Sequence, residues 1–270
     1  MVYYTYAVTR AREPSGSWAL PVAGIANAPV YGVSYRDVAA ITSPVPEALM
    51  VSLQEEAWFG INVLAHHQVL VALLDRYTLV PFKFGTVYRG EARVQEMLAR
   101  HYQDLVETLV RLDGATEWGV KLYCDRNVLM QWIRKRNEQV RQMDEEASRR
   151  PEGAAYFLRK KLEQLAWREA VMVVDARIQE SHQQLAGLAR EAVTNPVQPA
   201  GVNGRRGEML LNGAYLVDDD RSREAFRAAV TALEEVSAPQ GFGYEQTGPW
   251  PPYNFVAAVF EEASGDPAGT

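Results

Sequence analysis

The chain has 270 residues, 47% apolar and 23% charged, with a formal net charge of −6, the composition of a globular protein that can bury a substantial core and divide into two domains. No run approaches about eighteen apolar residues, and Met1-Val2-Tyr3-Tyr4-Thr5-Tyr6 lacks the basic and apolar blocks of a secretion signal, so neither a membrane span nor export is expected and the cytoplasm is. The lone Cys124 leaves no intramolecular disulfide or thiolate metal cluster. The charge is spread, with 9 basic against 11 acidic residues over 1–113, 14 against 12 over 114–200 and 5 against 11 over 201–270, which offers nucleic acid no basic face.

Val2 to Thr9, rich in tyrosine and valine, predicts a strand, followed by a polar loop from Arg10 to Ser17. Three short strands follow near Ala19 to Ile25, Val30 to Tyr35 and Ala39 to Thr42, separated by Asn27, Pro29 and Asp37. Ser52 and Glu55 have capping-box spacing and open a helix to Leu74, with Trp58, Ile61, Ala65 and Val69 on one stripe and Phe59, Val63, Leu70 and Leu73 on another. Two apolar stripes imply packing on two sides. His66 lies in the second stripe. A metal or acid-base role would need convergent partners, and His101 and His182 fall on separate predicted helices, so His66 is read as a satisfied structural histidine. Tyr77 to Phe84 is extended, and Gly90 to Leu112 reads as one helix with Val94, Leu98, Leu105 and Leu109 inward.

Asp113-Gly114 marks a boundary, giving domains 1–113 and 114–270. Trp118 to Cys124 predicts a strand, and Asp125 caps a helix with Val128, Leu129, Trp132, Ile133, Val140 and Met143 inward. Arg134-Lys135-Arg136 and Arg149-Arg150 read as a solvated helix face. Pro151-Glu152-Gly153 breaks the helix. A second long helix over Ala154 to Val193 buries Val171, Val174, Ile178, Leu185 and Leu188 and pairs with the first as a hairpin. Asn195 to Gly207 is loop-like. Glu208 to Val217 is a strand, Asp218-Asp219-Asp220 a solvated acidic turn without calcium-loop spacing, and Ser222 to Val236 an amphipathic helix.

Phe242 to Gln246 and Tyr253, Phe255, Ala257 and Val259 alternate as strands, so Gly248-Pro249-Trp250-Pro251-Pro252 is expected to join them. The prolines hold Trp250 extended, either as a lid on its own sheet or as a preorganised contact for another protein. Glu261 to Thr270 reads as a frayed tail. The pattern of strands and crossovers predicts an α+β fold whose C-terminal domain is a modified ferredoxin-like sandwich with a long helical hairpin. There is no Walker loop, nucleotide-binding glycine fingerprint, nucleophile elbow or His-Glu-x-x-His. Hence no catalytic residues, metal or cofactor are expected.

Several blocks carry a family resemblance. They are the Tyr3-Tyr4-Thr5-Tyr6 strand, His66 followed by Val69-Leu70, Pro81-Phe82-Lys83-Phe84-Gly85-Thr86-Val87, Glu117-Trp118-Gly119-Val120-Lys121, Gly153-Ala154-Ala155-Tyr156, Leu211-Asn212-Gly213-Ala214-Tyr215-Leu216-Val217, and Thr247-Gly248-Pro249-Trp250-Pro251-Pro252-Tyr253-Asn254-Phe255-Val256. In this order they make the chain similar to the gas vesicle GvpF/GvpL family over nearly its whole length. Lys83 departs from that family's arginine, keeping the charge but not the planar fork. The resemblance implies a minor accessory protein of gas vesicle assembly, associated with the vesicle, with the hydrophobic major shell protein GvpA and other accessory gas vesicle proteins as partners. Trp250, Tyr253, Phe255, Lys83 and Phe84 are the candidate partner-binding residues, with Arg126 and His66 behind them. From the residues alone, the alternative is a small-molecule-binding or enzymatic α+β protein with a site between the two domains.

Overall fold

The tyrosine- and valine-rich amino terminus forms the strand on which the first sheet is built. In a computed structural model of the chain, which describes residues 1–12, 17–48, 56–199, 207–218 and 220–256, strand β1 (Val2–Arg10) lies between β4 (Val38–Val45) and the short β5 (Val80–Pro81), with β3 (Pro29–Tyr35) and β2 (Ser17–Ala23) continuing outward from β4. A second short strand, β6 (Val87–Tyr88), also pairs with β1. These pairings are antiparallel, and the β1–β4 register shifts between Thr5 and Ala7, so Tyr6 is an extra residue in the ladder. Nearby, the chain approaches Tyr6 so closely at Gly24 that a Cβ there would lie 2.3 Å from the Tyr6 hydroxyl.

Helix α1 (Glu56–Leu74) packs on this sheet through Val69, Leu70 and Leu73, joining Tyr4, Tyr6, Val30 and Ile41 in one core. These come from both predicted stripes, Val69 from the first and Leu70 and Leu73 from the second, whereas Ile61 of the first is 70% exposed and Asn62 is buried. Leu64 and Val71 are exposed as well, so the helix buries one side rather than two. The Ser52–Glu55 box and the side chains of Trp58 and Phe59 lie outside the described residues. The single helix expected over 90–112 is two, α2 (Glu91–Arg100) and α3 (Tyr102–Leu112), because the backbone leaves helical geometry at His101. Both are strongly amphipathic, and Val94, Leu98, Leu105 and Leu109 are buried as their spacing requires.

Strand β7 (Thr116–Cys124) opens the second sheet, followed by α4 (Arg126–Arg136), α5 (Glu138–Ser148) and α6 (Glu152–Ala186). Asp125 caps α4 by accepting from the N–H groups of Asn127 and Val128. Asn137 breaks the expected helix by capping α5 through Val140 N–H. Next come β8 (Glu191–Thr194), β9 (Glu208–Val217), α7 (Asp220–Ser237) and β10 (Phe242–Trp250). The sheet order β10-β7-β9-β8 is fourth-first-third-second, the split βαβ arrangement of ferredoxin-like folds, modified by three helices in the first crossover. Helix α6 packs along α5 and α4, making the hairpin. It ends at Ala186, short of the expected Val193, because residues 191–194 pair with 213–216 of β9. Of its expected stripe, Val174 and Leu185 are buried, whereas Val171 and Leu188 are 39% and 37% exposed.

The carboxyl-terminal reading also changes. Gly248, Pro249 and Trp250 belong to β10, and Tyr253–Phe255 is a turn of 3₁₀ helix, not a strand. Ala257 and Val259 lie outside the described residues. The chain divides into two compact units, one of Met1–Glu117 with the segment from Pro249 onward, the other Trp118–Gly248. This differs from a simple division at 113/114 in that the chain returns to the first unit at its end. That return rests on contacts between residues far apart in sequence.

Candidate functional site

Three consecutive residues of the returning segment are each held by a different residue of the first unit. Tyr253 places its hydroxyl 3.2 Å from Nε2 of His66 on α1. Asn254 donates its backbone N–H to Oε2 of Glu117 at 2.9 Å and its side-chain Nδ2 to Oε1 at 2.6 Å. The Phe255 carbonyl accepts from the guanidinium of Arg111 on α3. Pro251 and Pro252, both buried, fix the backbone dihedrals leading into this clasp.

The center of the clasp is aromatic. His66 is 3% exposed, stacks on Tyr6 at 5.6 Å and 30°, and meets Tyr4 and Phe84 edge-on at 5.7 and 5.9 Å. Tyr4 Oη accepts from Gly85 N–H at 3.0 Å and lies 2.9 Å from His66 Nδ1. Both ring nitrogens thus have a hydroxyl partner, Nδ1 with Tyr4 and Nε2 with Tyr253. Every polar atom of the imidazole is therefore satisfied without a charge.

Burial explains the electrostatics. Desolvation holds His66 well below its ordinary 6.5, at about 4, with the neighboring His67 adding to the effect and a backbone contact with Phe82 opposing it. Desolvation pushes Glu117 above the ordinary 4.5, although the two hydrogen bonds from Asn254 favor its ionised form. Tyr4 and Tyr253 are likewise raised by burial. Shifted groups in a cluster suit catalysis as well as structure, but here they are all consumed in holding the segment.

The candidate residues separate accordingly. Phe255 is 5% exposed and faces inward, Tyr253 and Phe84 are half-buried members of the clasp, and Trp250 is half-buried with its ring 5.1 Å from that of His67. Lys83 is exposed, its carbonyl accepting from the Thr86 hydroxyl at 2.7 Å, and no carboxylate among the described residues pairs with its ammonium. Lys83→Glu is therefore expected to leave the melting temperature within about 2 °C of wild type. A thermal scan showing a drop beyond about 5 °C would place Lys83 in a pairing instead. Arg126 belongs elsewhere, bonded to Glu208 at 2.8 Å with its guanidinium over Trp167 at 5.6 Å. Sequence reasoning missed Glu117, Asn254, Arg111 and Tyr4. A carboxylate placed next to Trp118 at the start of an apolar strand was the available signal for Glu117.

The clasp and the ferredoxin-like unit define an α+β protein whose most elaborate polar constellation positions a segment of its own chain. The sequence profile of the gas vesicle synthesis protein GvpL/GvpF family matches residues 2–257, and the chain belongs to that family. It is 32% identical over 269 residues to gas vesicle protein L of a Streptomyces species, covering 96% of this chain and 94% of that protein. Gas vesicle protein F of the same organism is 27% identical over 95% of this chain and 100% of its own length. Crystal structures of GvpF from an Anabaena species and from Microcystis aeruginosa share the fold with TM-scores of 0.70 and 0.64, each 20% identical and covering 94% of this chain and 98% of the other. The protein is thus a gas vesicle protein of the GvpL/GvpF family. No helix among the described residues is long and apolar enough to cross a membrane.

Proposed function

We propose that this protein holds the hydrophobic major shell protein GvpA in the cytoplasm during nucleation of the gas vesicle shell and releases it to the growing wall. Family membership supports a role with other gas vesicle components. The observation that carries the finer reading is Trp250, a half-buried indole between an exposed Pro249 and a clasped segment. An aromatic fixed in this way contributes contact area at little entropic cost. Apolar shell subunits need such cover before they assemble. In this reading Trp250 and Lys83 reach the partner, and Tyr253, Phe255 and Phe84 keep the surface in place.

The test is co-expression with GvpA and recovery of a complex, with an unrelated α+β protein as control. Trp250→Ala is expected to weaken binding by about 2 kcal/mol or more, roughly a thirtyfold rise in Kd. A variant that folds normally and binds unchanged would reduce Trp250 to a lid over His67. Failure to recover any complex with the wild-type protein would remove GvpA as the partner.

A further inference from the structure

A groove of about 730 Å³ runs between α4 and α6 in the second unit, lined by Met130 and Arg134 on the former and Lys160, Glu163, Trp167 and Arg168 on the latter. With Gln164, these α6 residues follow three- and four-residue steps, 160-163-167 and 160-164-168, and so share one helical face, beside the stripe of Leu162, Ala166 and Ala170 that enters the core. Trp167 is 55% exposed, an indole standing in water at the groove. The Arg126 guanidinium lies over its ring at 5.6 Å and is itself bonded to Glu208, so the ring is supported from one side.

Some cations of the helical hairpin are paired within their own helix. Arg141, Arg150 and Arg177 each pair with a glutamate one turn away. Among the described residues no carboxylate pairs with Arg134, Lys160 or Arg168, and Glu163 is the one acid against these three bases in the groove. Three cations against one acid, around exposed apolar surface, form a site that attracts carboxylates and rewards an apolar side chain between them.

We infer that this groove is a docking site for an acidic amphipathic helix of a partner protein. Lys160 and Arg168 are eight residues apart on one helix, about 12 Å along its axis. A docked helix meets that spacing with carboxylates two turns apart, and the apolar residue between them reaches Trp167 and Met130. Nucleic acid suits the site less well, because the whole chain carries a net charge of −6 and repels a long polyanion. The site lies within the second unit and uses no residue of the Trp250 segment, so it stands or falls independently of shell-protein binding there.

The experiment uses the full-length protein and a fluorescently labelled synthetic peptide of about four helical turns, with glutamates two turns apart and leucine between them. The same peptide with lysine for glutamate and a single-stranded oligonucleotide of equal charge are the comparison probes, all read by anisotropy. The acidic peptide is expected to bind with a Kd in the micromolar range and to weaken at least tenfold with Lys160→Gln/Arg168→Gln, several-fold with Trp167→Ala, and again with added salt. These side chains are exposed, and unchanged melting curves will confirm that each variant folds. Absence of binding, equal binding of the lysine peptide, tighter binding of the oligonucleotide, or indifference to the substitutions would each overturn the assignment.

Discussion

His66→Ala is expected to lower the stability of the protein by about 3–4 kcal/mol and its melting temperature by about 10 °C. Two costs combine. Removing the imidazole takes a hydrogen-bond partner from the hydroxyls of the fully buried Tyr4 and of Tyr253, and buried polar groups without partners cost about 1–3 kcal/mol. The vacancy beneath Tyr6, Tyr4 and Phe84 adds lost packing. His66→Phe separates the two, since it refills the volume without restoring either hydrogen bond. It should recover part of the loss and leave about 2 kcal/mol missing in a denaturant titration. If the phenylalanine variant equals wild type, the polar bridge contributes nothing and His66 is only a filler.

The same residue sets an acid limit. Its proton affinity is lower folded than unfolded, so the unfolded chain binds the extra proton first and acid favors unfolding. His66 imposes no such cost above about pH 6.5. The cost grows as pH falls toward about 4 and is complete below it, amounting to roughly 3 kcal/mol for a fall from 6.5 to about 4. Wild-type stability should therefore decline between pH 6.5 and 4, and His66→Phe should flatten that decline. A wild-type profile that parallels that of His66→Phe across this window would mean that the imidazole reaches water.

What was legible in the sequence was local. The tyrosine- and valine-rich run from Val2 to Thr9, the Asp125 cap and the break at Pro151 mark elements that form where they were expected, because each rests on neighbors a few residues away. Strand β8 escaped notice because Glu-Ala-Val-Thr is too short to show a period and is fixed by pairing with β9 instead. The break at Asn137 went unread because the residue lies inside a run that is helical on both sides. The clasp was illegible for a stronger reason. Tyr253 is 187 residues from His66, and Asn254 is 137 from Glu117. No spacing rule reaches across such separations. The prolines flanking Trp250 announced a rigid segment, but its seat depends on a histidine, a glutamate and an arginine drawn from three different elements. Chemistry that reads as recognition in sequence is, for Tyr253 and Phe255, internal anchorage.

Glu117→Ala is expected to cost about 3 kcal/mol and to free the segment that carries Trp250. Glu117 is 5% exposed, and its two carboxyl oxygens each accept from Asn254, one from the backbone and one from the side chain. Truncation leaves both donors in the interior without an acceptor. Glu117→Gln keeps one acceptor and turns an amide N–H₂ toward the other donor, so it should lose an intermediate amount, about 1–2 kcal/mol. The pH dependence runs opposite to that of His66. Burial raises the Glu117 pKa, so the folded state favors the protonated acid, and this contribution is present below the ordinary glutamate value and lost as pH rises through the elevated one. Glutamine, which cannot ionise, should remove this limb of the stability profile while leaving the histidine limb intact. Hydrogen exchange at the Asn254 amide provides the local readout, with exchange in Glu117→Ala faster by at least tenfold. If global stability falls but that amide remains protected, Glu117 supports the core and Arg111 with His66 suffices to hold the segment. If the amide opens while the rest of the unit stays folded, Glu117 is the residue that keeps Trp250 in place for its partner.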